Sequence, residues 1–145
     1  MDVIFCGDFN SHPISAVHEL LKTGKVPPNH ADWFSGNLPV LSALSGILLY
    51  VIVLKGGKKE FVANMNVTSH VQLESASPCG YPQYTNYVPS FSGCLDYIYF
   101  SEWSGLKLKR VIPLASHEKV VENTALPNAD FPSDHLPLVC EFQVE

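Results

Sequence analysis

Apolar runs broken at single polar positions set the rhythm of this chain. Val3-Ile4-Phe5-Cys6 is a short run of strand-forming residues that stops at Gly7. It predicts a buried strand whose following polar side chains, Asp8 and Asn10, project from its C-terminal edge. After Pro13 the period changes. Val17, Leu20 and Leu21 recur at helical spacing, Ser11 or Ser15 stands where a cap belongs, and Gly24 follows as a stop. A helix is predicted there, with His18 at the solvent or at the core edge. Residues 95–100 form the clearest strand, with Asp96 the lone charge in an apolar and aromatic run. Residues 106–114 predict another strand, residues 116–121 a short helical turn, and residues 136–142 a closing strand. Strands interspersed with helices indicate an α/β or α+β class.

The stretch 38–54 is almost uncharged, and at about 17 residues it falls at the bottom of the range that crosses a bilayer. Pro39, Ser42, Ser45 and Gly46 dilute it, so a buried helix or strand is favoured over a membrane span. A third reading, a segment foreign to the rest of the fold, stays open.

Composition narrows the class further. A chain of 145 residues with 46% hydrophobic positions is long enough for one domain with a sizeable core. Only 16% of residues are charged and the net charge is −5, which excludes a pervasive basic surface. The local clusters Lys55, Lys58 and Lys59, and Lys107, Lys109 and Arg110, read as solvated surface charge. Cys6, Cys79, Cys94 and Cys140 show no C-x-x-C spacing, and two of them lie in apolar runs where a thiol packs as a small hydrophobe. A reducing, intracellular compartment is expected. The opening residues have no signal-peptide pattern, so the Asn66-Val67-Thr68 sequon reads as accidental.

Three short pieces carry candidate chemistry: Gly7-Asp8-Phe9-Asn10, Leu95-Asp96-Tyr97-Ile98 and Ser133-Asp134-His135. Taken singly, Asp8 and Asn10 are ordinary turn residues, Asp134 an ordinary cap and His135 a loop histidine. A carboxylate inside an apolar strand needs a partner, however, and an Asp-His pair at another strand's start supplies one. Hydrolysis of a phosphodiester calls for charge stabilisation on phosphoryl oxygens, an activated water and a proton donor to the leaving oxygen. Asp96 acting on His135 would fix the imidazole tautomer and raise its basicity. Asp8 would activate water or protonate the leaving group, and Asn10 would donate to a nonbridging oxygen. Asp134 would sit near a hard cation such as Mg²⁺, which prefers carboxylate and water oxygens.

Gly7-Asp8-Phe9-Asn10-Ser11, Tyr84-Thr85-Asn86-Tyr87, Gly93-Cys94-Leu95-Asp96-Tyr97-Ile98 and Pro132-Ser133-Asp134-His135 together resemble the C-terminal part of the deadenylase branch of the endonuclease/exonuclease/phosphatase superfamily. Residues 76–87, Phe91-x-Gly93-Cys94-Leu95-Asp96-Tyr97-Ile98 and Val111-Ile112-Pro113-Leu114-x-Ser116-His117-Glu118 are most similar to its 2′-phosphodiesterases, which remove 2′,5′-oligoadenylates and poly(A) tails. The resemblance covers residue 3 to about residue 37 and residues 65–142.

It implies an α/β fold, the C-terminal half of a four-layer DNase I-like sandwich. Residues 1–145 would form a partial domain with an atypical apolar insert at about 38–64. It further implies a Mg²⁺ site, or Mn²⁺ in its place, partly held by Asp134 and Asp8, with Asp8, Asn10, Asp96 and His135 catalytic and Asn86 and Phe91 near the adenylate end of the cleft. The implied substrate is single-stranded adenylate RNA or 2′,5′-oligoadenylate rather than duplex DNA, cleaved exonucleolytically to 5′-AMP. The implied location is mitochondrial or cytoplasmic, with no membrane partner. The family's metal-binding Glu comes from strands before the Gly-Asp-Phe-Asn piece, whereas Glu19 is the first Glu here. A truncated form is therefore expected, with little activity unless a missing N-terminal half or another chain joins it.

Overall fold

The computed structural model describes residues 2–33, 50–55, 58–63, 67–77 and 81–145. In chain order the elements are β1 (Ile4–Asp8), α1 (Ala16–Thr23), β2 (Lys25–Val26), a 3-10 turn (Ala31–Trp33), β3 (Tyr50–Lys55), β4 (Lys58–Ala63), β5 (Val67–Thr68), β6 (Glu74–Ser75), β7 (Asn86–Val88), β8 (Phe91–Gly93), β9 (Asp96–Phe100), β10 (Leu106–Val111), α2 (His117–Val121) and β11 (Cys140–Val144). They fall into two compact units, one made of Met1–Pro13 and Leu73–Glu145, the other of Ile14–Gln72.

The first unit is organised around β9. That strand lies between β1 and β6 in an antiparallel sheet, and β1 runs along it from Ile4 opposite Phe100 to Asp8 opposite Asp96. The Phe9 N–H extends the ladder to the Leu95 carbonyl at 2.8 Å. Tyr97 and Tyr99 are buried, and Phe9 meets both rings edge-on. Buried Tyr84, Val120, Leu126 and Leu136 form a second apolar centre, beneath the segment that carries Asp134 and His135. A third gathers Ala76, Phe100 and Leu106, against which Phe142 of the antiparallel β10–β11 pair packs.

Three expectations are corrected here. The strand of residues 3–6 is not buried: every residue of β1 is exposed, Cys6 included, because among the described residues β1 pairs on one side only. Ile4 and Phe5 consequently keep about half of their surface open, at 50% and 47%. The closing strand begins at Cys140 rather than at residue 136. Pro137 has no N–H for a ladder, and residues 134–136 pair instead with residues 85–87. The β10 strand likewise ends at Val111, short of Pro113.

In the second unit α1 forms where the helical spacing places it. Ser15 has extended backbone at the cap position, but its hydroxyl makes no cap bond; Asp32 Oδ2 accepts the Ala16 N–H at 2.7 Å instead. Gly24 closes the helix at φ 71°, donating its N–H to the Leu20 carbonyl at 2.8 Å. The inward residue of α1 is His18, at 1% exposure, while Val17, Leu20 and Leu21 are half-buried. An imidazole has an apolar body as well as polar nitrogens, so a helix can bury it where the pattern of aliphatic residues points elsewhere. Residues 50–54 of the long apolar stretch lie in β3, which pairs antiparallel with β4. Residues 38–49 lie outside the described residues, as do Asn66 and Cys79. No helix among the described residues is long and apolar enough to cross a membrane.

Candidate active site

The β1–β9 register makes Asp8 and Asp96 direct cross-strand partners, so both carboxylates rise from one face of the sheet at its edge. Beyond β1 the chain turns sharply. Asp8 Oδ1 accepts the Asn10 N–H at 2.8 Å and Oδ2 accepts the Asn10 side-chain amide at 3.2 Å. Asn10 sits at φ 47°, a left-handed conformation that Asn tolerates better than most residues. The two residues thus form one exposed polar turn at the end of β1.

Asp96 is joined from two sides. Its Oδ2 lies 2.7 Å from His135 Nδ1 and accepts the Thr85 hydroxyl at 2.6 Å. An ionised carboxylate only accepts, so Nδ1 carries the hydrogen of the shared contact and Nε2 is left as the basic nitrogen. The imidazole is held above its ordinary range, chiefly by the bond to Asp96, with burial opposing and the charges of Asp96, Asp134 and Asp8 adding to the rise. His135 therefore holds a proton readily at a site ringed by carboxylates.

Asp134 is held by Asn86. Asn86 donates its side-chain amide to the Asp134 carbonyl and to Oδ2, each at 3.2 Å, and Asn86 is itself buried. The backbone ties the same segments together: Tyr87 donates to the Asp134 carbonyl at 3.2 Å and Leu136 to the Thr85 carbonyl at 2.7 Å. Asn86 and Phe91, expected near the same end of the cleft, stand on the two strands of the β7–β8 hairpin, in which Asn86 pairs with Gly93 and Val88 with Phe91. Phe91 is 42% exposed, and its ring lies 6.1 Å from that of His12. Gly93 permits this arrangement: a Cβ there would meet Phe91 Cζ at 2.8 Å and His12 Cε1 at 3.0 Å.

The donors at this edge do not by themselves form a complete site for the Mg²⁺ that the resemblance implies. Among the described residues no group of three or more His, Cys, Asp or Glu side chains is arranged to hold a metal ion. Asp134 Oδ2 is engaged by Asn86, and Asp96 Oδ2 by Thr85 and His135. A hard octahedral cation needs more free oxygen donors than this turn and loop present.

The sequence pattern points to Asp8, Asn10, Asp96, Asp134 and His135, and the fold brings all five to one edge. It does not reveal Thr85 and His12. The signal for Thr85 was a hydroxyl in a polar-aromatic alternation, near a strand carboxylate in need of a donor. His12 had no signal beyond its nearness to Asn10.

Comparison with known proteins sets this geometry in context. The Endonuclease/Exonuclease/phosphatase family matches residues 1–135. The chain is 41% identical over 141 residues to 2′,5′-phosphodiesterase 12 of Homo sapiens, covering 97% of this chain and 19% of that one. It is 32% identical over 142 residues to the CCR4-Not complex 3′-5′-exoribonuclease subunit Ccr4 of Saccharomyces cerevisiae, covering 97% of this chain and 14% of the relative. Among solved structures it is similar to that of ANGEL2, a 2′,3′-cyclic phosphatase, in complex with adenosine-2′,3′-vanadate. That likeness has a TM-score of 0.65 at 26% identity, over 99% of this chain and 45% of the other. The chain thus spans less than a quarter of the curated relatives and less than half of the solved chain. The fold it shares with ANGEL2 is the expected partial DNase I-like α/β type.

Proposed function

The chain belongs to the endonuclease/exonuclease/phosphatase family, and from that premise we propose that it carries the imidazole portion of a phosphodiester-hydrolysing site. The substrate class proposed is single-stranded adenylate RNA or 2′,5′-oligoadenylate, cleaved to 5′-AMP. The observation that supports this reading is the 2.7 Å contact between Asp96 Oδ2 and His135 Nδ1, which leaves His135 Nε2 basic.

In this reading Nε2 takes a proton from the attacking water, and Asp96 stabilises the imidazolium that results. Such general base help is worth roughly 10² to 10⁴ in rate. Asp8 serves as the second proton-transfer group, taking a proton from solvent water and passing it to the leaving oxygen. Asn10 has a second amide hydrogen beyond the one given to Asp8, and donates it to a nonbridging oxygen. Phe91, exposed on its hairpin, offers a face on which a base stacks, and Asn86 holds the Asp134-His135 segment in place. Mg²⁺, or Mn²⁺, when bound would neutralise charge on the phosphoryl oxygens. Since the donors here are incomplete, the reading requires further ligands from another segment or chain. Residues 1–145 are accordingly read as a partial domain, with 38–64 as an insertion.

A second reading is favoured by the same shortage of donors: a catalytically inactive fragment that binds adenylate without cleaving it. A third, phosphatase action on a 2′,3′-cyclic end, is favoured by the likeness to ANGEL2.

The test is Mg²⁺-dependent AMP release from 2′,5′-triadenylate and from 3′,5′-oligoadenylate, with His135→Ala as control and a 2′,3′-cyclic-phosphate-ended oligonucleotide as a third substrate. Release that the control abolishes supports hydrolysis. Turnover of the cyclic end alone supports the phosphatase reading. Binding without release from folded protein supports the inactive fragment.

A further inference from the structure

Thr85 is fully enclosed, at 0% exposure, and every polar group it has is in use. Its Oγ1 accepts the Leu95 N–H at 2.9 Å and the Asp96 N–H at 3.0 Å. A threonine hydroxyl has two acceptor sites and one hydrogen. With both acceptor sites filled by backbone donors, the hydrogen has one direction left, towards Asp96 Oδ2 at 2.6 Å. That is the oxygen that meets His135 Nδ1.

The backbone of the same residue reaches the other member of the pair. The Thr85 carbonyl accepts the N–H of Leu136, next to His135, at 2.7 Å, and the Thr85 N–H is anchored on the Gly93 carbonyl at 2.9 Å. One residue therefore holds the carboxylate through its side chain and the imidazole's segment through its main chain.

We propose that Thr85 is a positioning residue for the Asp96–His135 pair: its hydroxyl locks the Asp96 carboxylate with Oδ2 as an acceptor only, and so fixes His135 in the tautomer with hydrogen on Nδ1 and Nε2 free. The proposal rests on the hydrolytic reading for its effect on rate, but its structural part does not need turnover. A carboxylate Oδ2 that accepts from the Thr85 hydroxyl presents its remaining lone pair to Nδ1, so the imidazole brings the hydrogen to that contact. Without the hydroxyl, the carboxylate is free to rotate about its terminal torsion, which is broad for Asp.

The experiment uses the purified chain labelled with ¹⁵N-histidine, read by long-range ¹H–¹⁵N correlation at a fixed alkaline pH where the ring is neutral. The unsubstituted chain is expected to show His135 as a single tautomer with hydrogen on Nδ1. Finding it on Nε2 would overturn the proposal without any variant, so the test survives a variant that fails to fold. Thr85→Val, which keeps the shape and removes the hydroxyl, is expected to give a tautomer mixture and to lower kcat by about 10- to 100-fold with KM unchanged. Thr85→Ser is expected to restore both the single tautomer and most of kcat. A folded Thr85→Val chain that keeps the Nδ1–H tautomer, or a Thr85→Ser chain as impaired as the valine variant, counts against the role. If the unsubstituted chain releases no AMP, the hydrolytic reading fails and the tautomer measurement alone decides the role of Thr85.

Discussion

Asp8 stands directly opposite Asp96 in the β1–β9 ladder, which sets two carboxylates on one face of the sheet at its edge. Like charges in that relation destabilise a sheet by roughly 0.2–1 kcal/mol. Asp8→Asn is therefore expected to raise thermal stability slightly while lowering AMP release, since the proposed second proton-transfer group is gone. Paired melting curves and rate assays check it; a variant that loses both stability and activity would mean that Asp8 serves chiefly to hold the turn to Asn10.

His135→Ala removes the proposed base and leaves Asp96 with Thr85 as its remaining side-chain donor among the described residues. A fall in kcat of about 10²- to 10⁴-fold is expected from lost general base catalysis. Single-turnover release of AMP measures it, and a loss below tenfold would move the proton transfer to another group.

The pH dependence follows from the raised proton affinity of His135, whose first cause is the bond to Asp96. As a base it acts when neutral, so kcat/KM should rise with pH through that raised value, with its acid limb above the ordinary imidazole value of about 6.5. The stability effect has the opposite sense. Folded protein holds this proton more tightly than unfolded chain, so the contribution is complete below the ordinary value and is lost as pH rises through the raised one. Asp96→Asn should move the acid limb downward; a limb left in place would assign it to a different group.

Phe91→Ala tests the stacking platform. A base on an aromatic ring contributes roughly 1–3 kcal/mol, so KM for oligoadenylate should rise about 5- to 150-fold with kcat little changed. Unaltered KM would leave Phe91 to the hairpin and its contact with His12.

Gly24→Ala addresses the second unit. Gly24 is left-handed, and a Cβ there would meet the Ser69 carbonyl oxygen at 2.8 Å. A loss of about 1–2 kcal/mol from the conformation alone is expected, read as a shift in denaturant midpoint. No shift would mean that the 67–72 segment yields to admit the methyl group.

Much of this could be read along the chain. The apolar run before Gly7, the helical spacing closed by Gly24 and the lone Asp96 in an aromatic strand are local signals, and β1, α1 and β9 form at or near those places. Local patterning also found the short helix after Ser116, whose hydroxyl accepts the Lys119 N–H. Burial was harder to foresee. His18 is enclosed and β1 is exposed because burial depends on which neighbours cover a face, and those neighbours come from distant parts of the chain.

By itself, then, the order of residues determined where β1, β9 and α1 form, which side chains have chemistry to offer, and the family to which the chain belongs, since backbone propensity, hydrophobic period and motif spelling are all written locally. Only the tertiary structure decided who meets whom: Asp96 with both Thr85 and His135, Asp134 with Asn86, Phe91 with His12. Strand register and loop closure choose those partners, and a hydrogen bond requires a donor and an acceptor within about 3 Å, a condition that spacing along a chain leaves open.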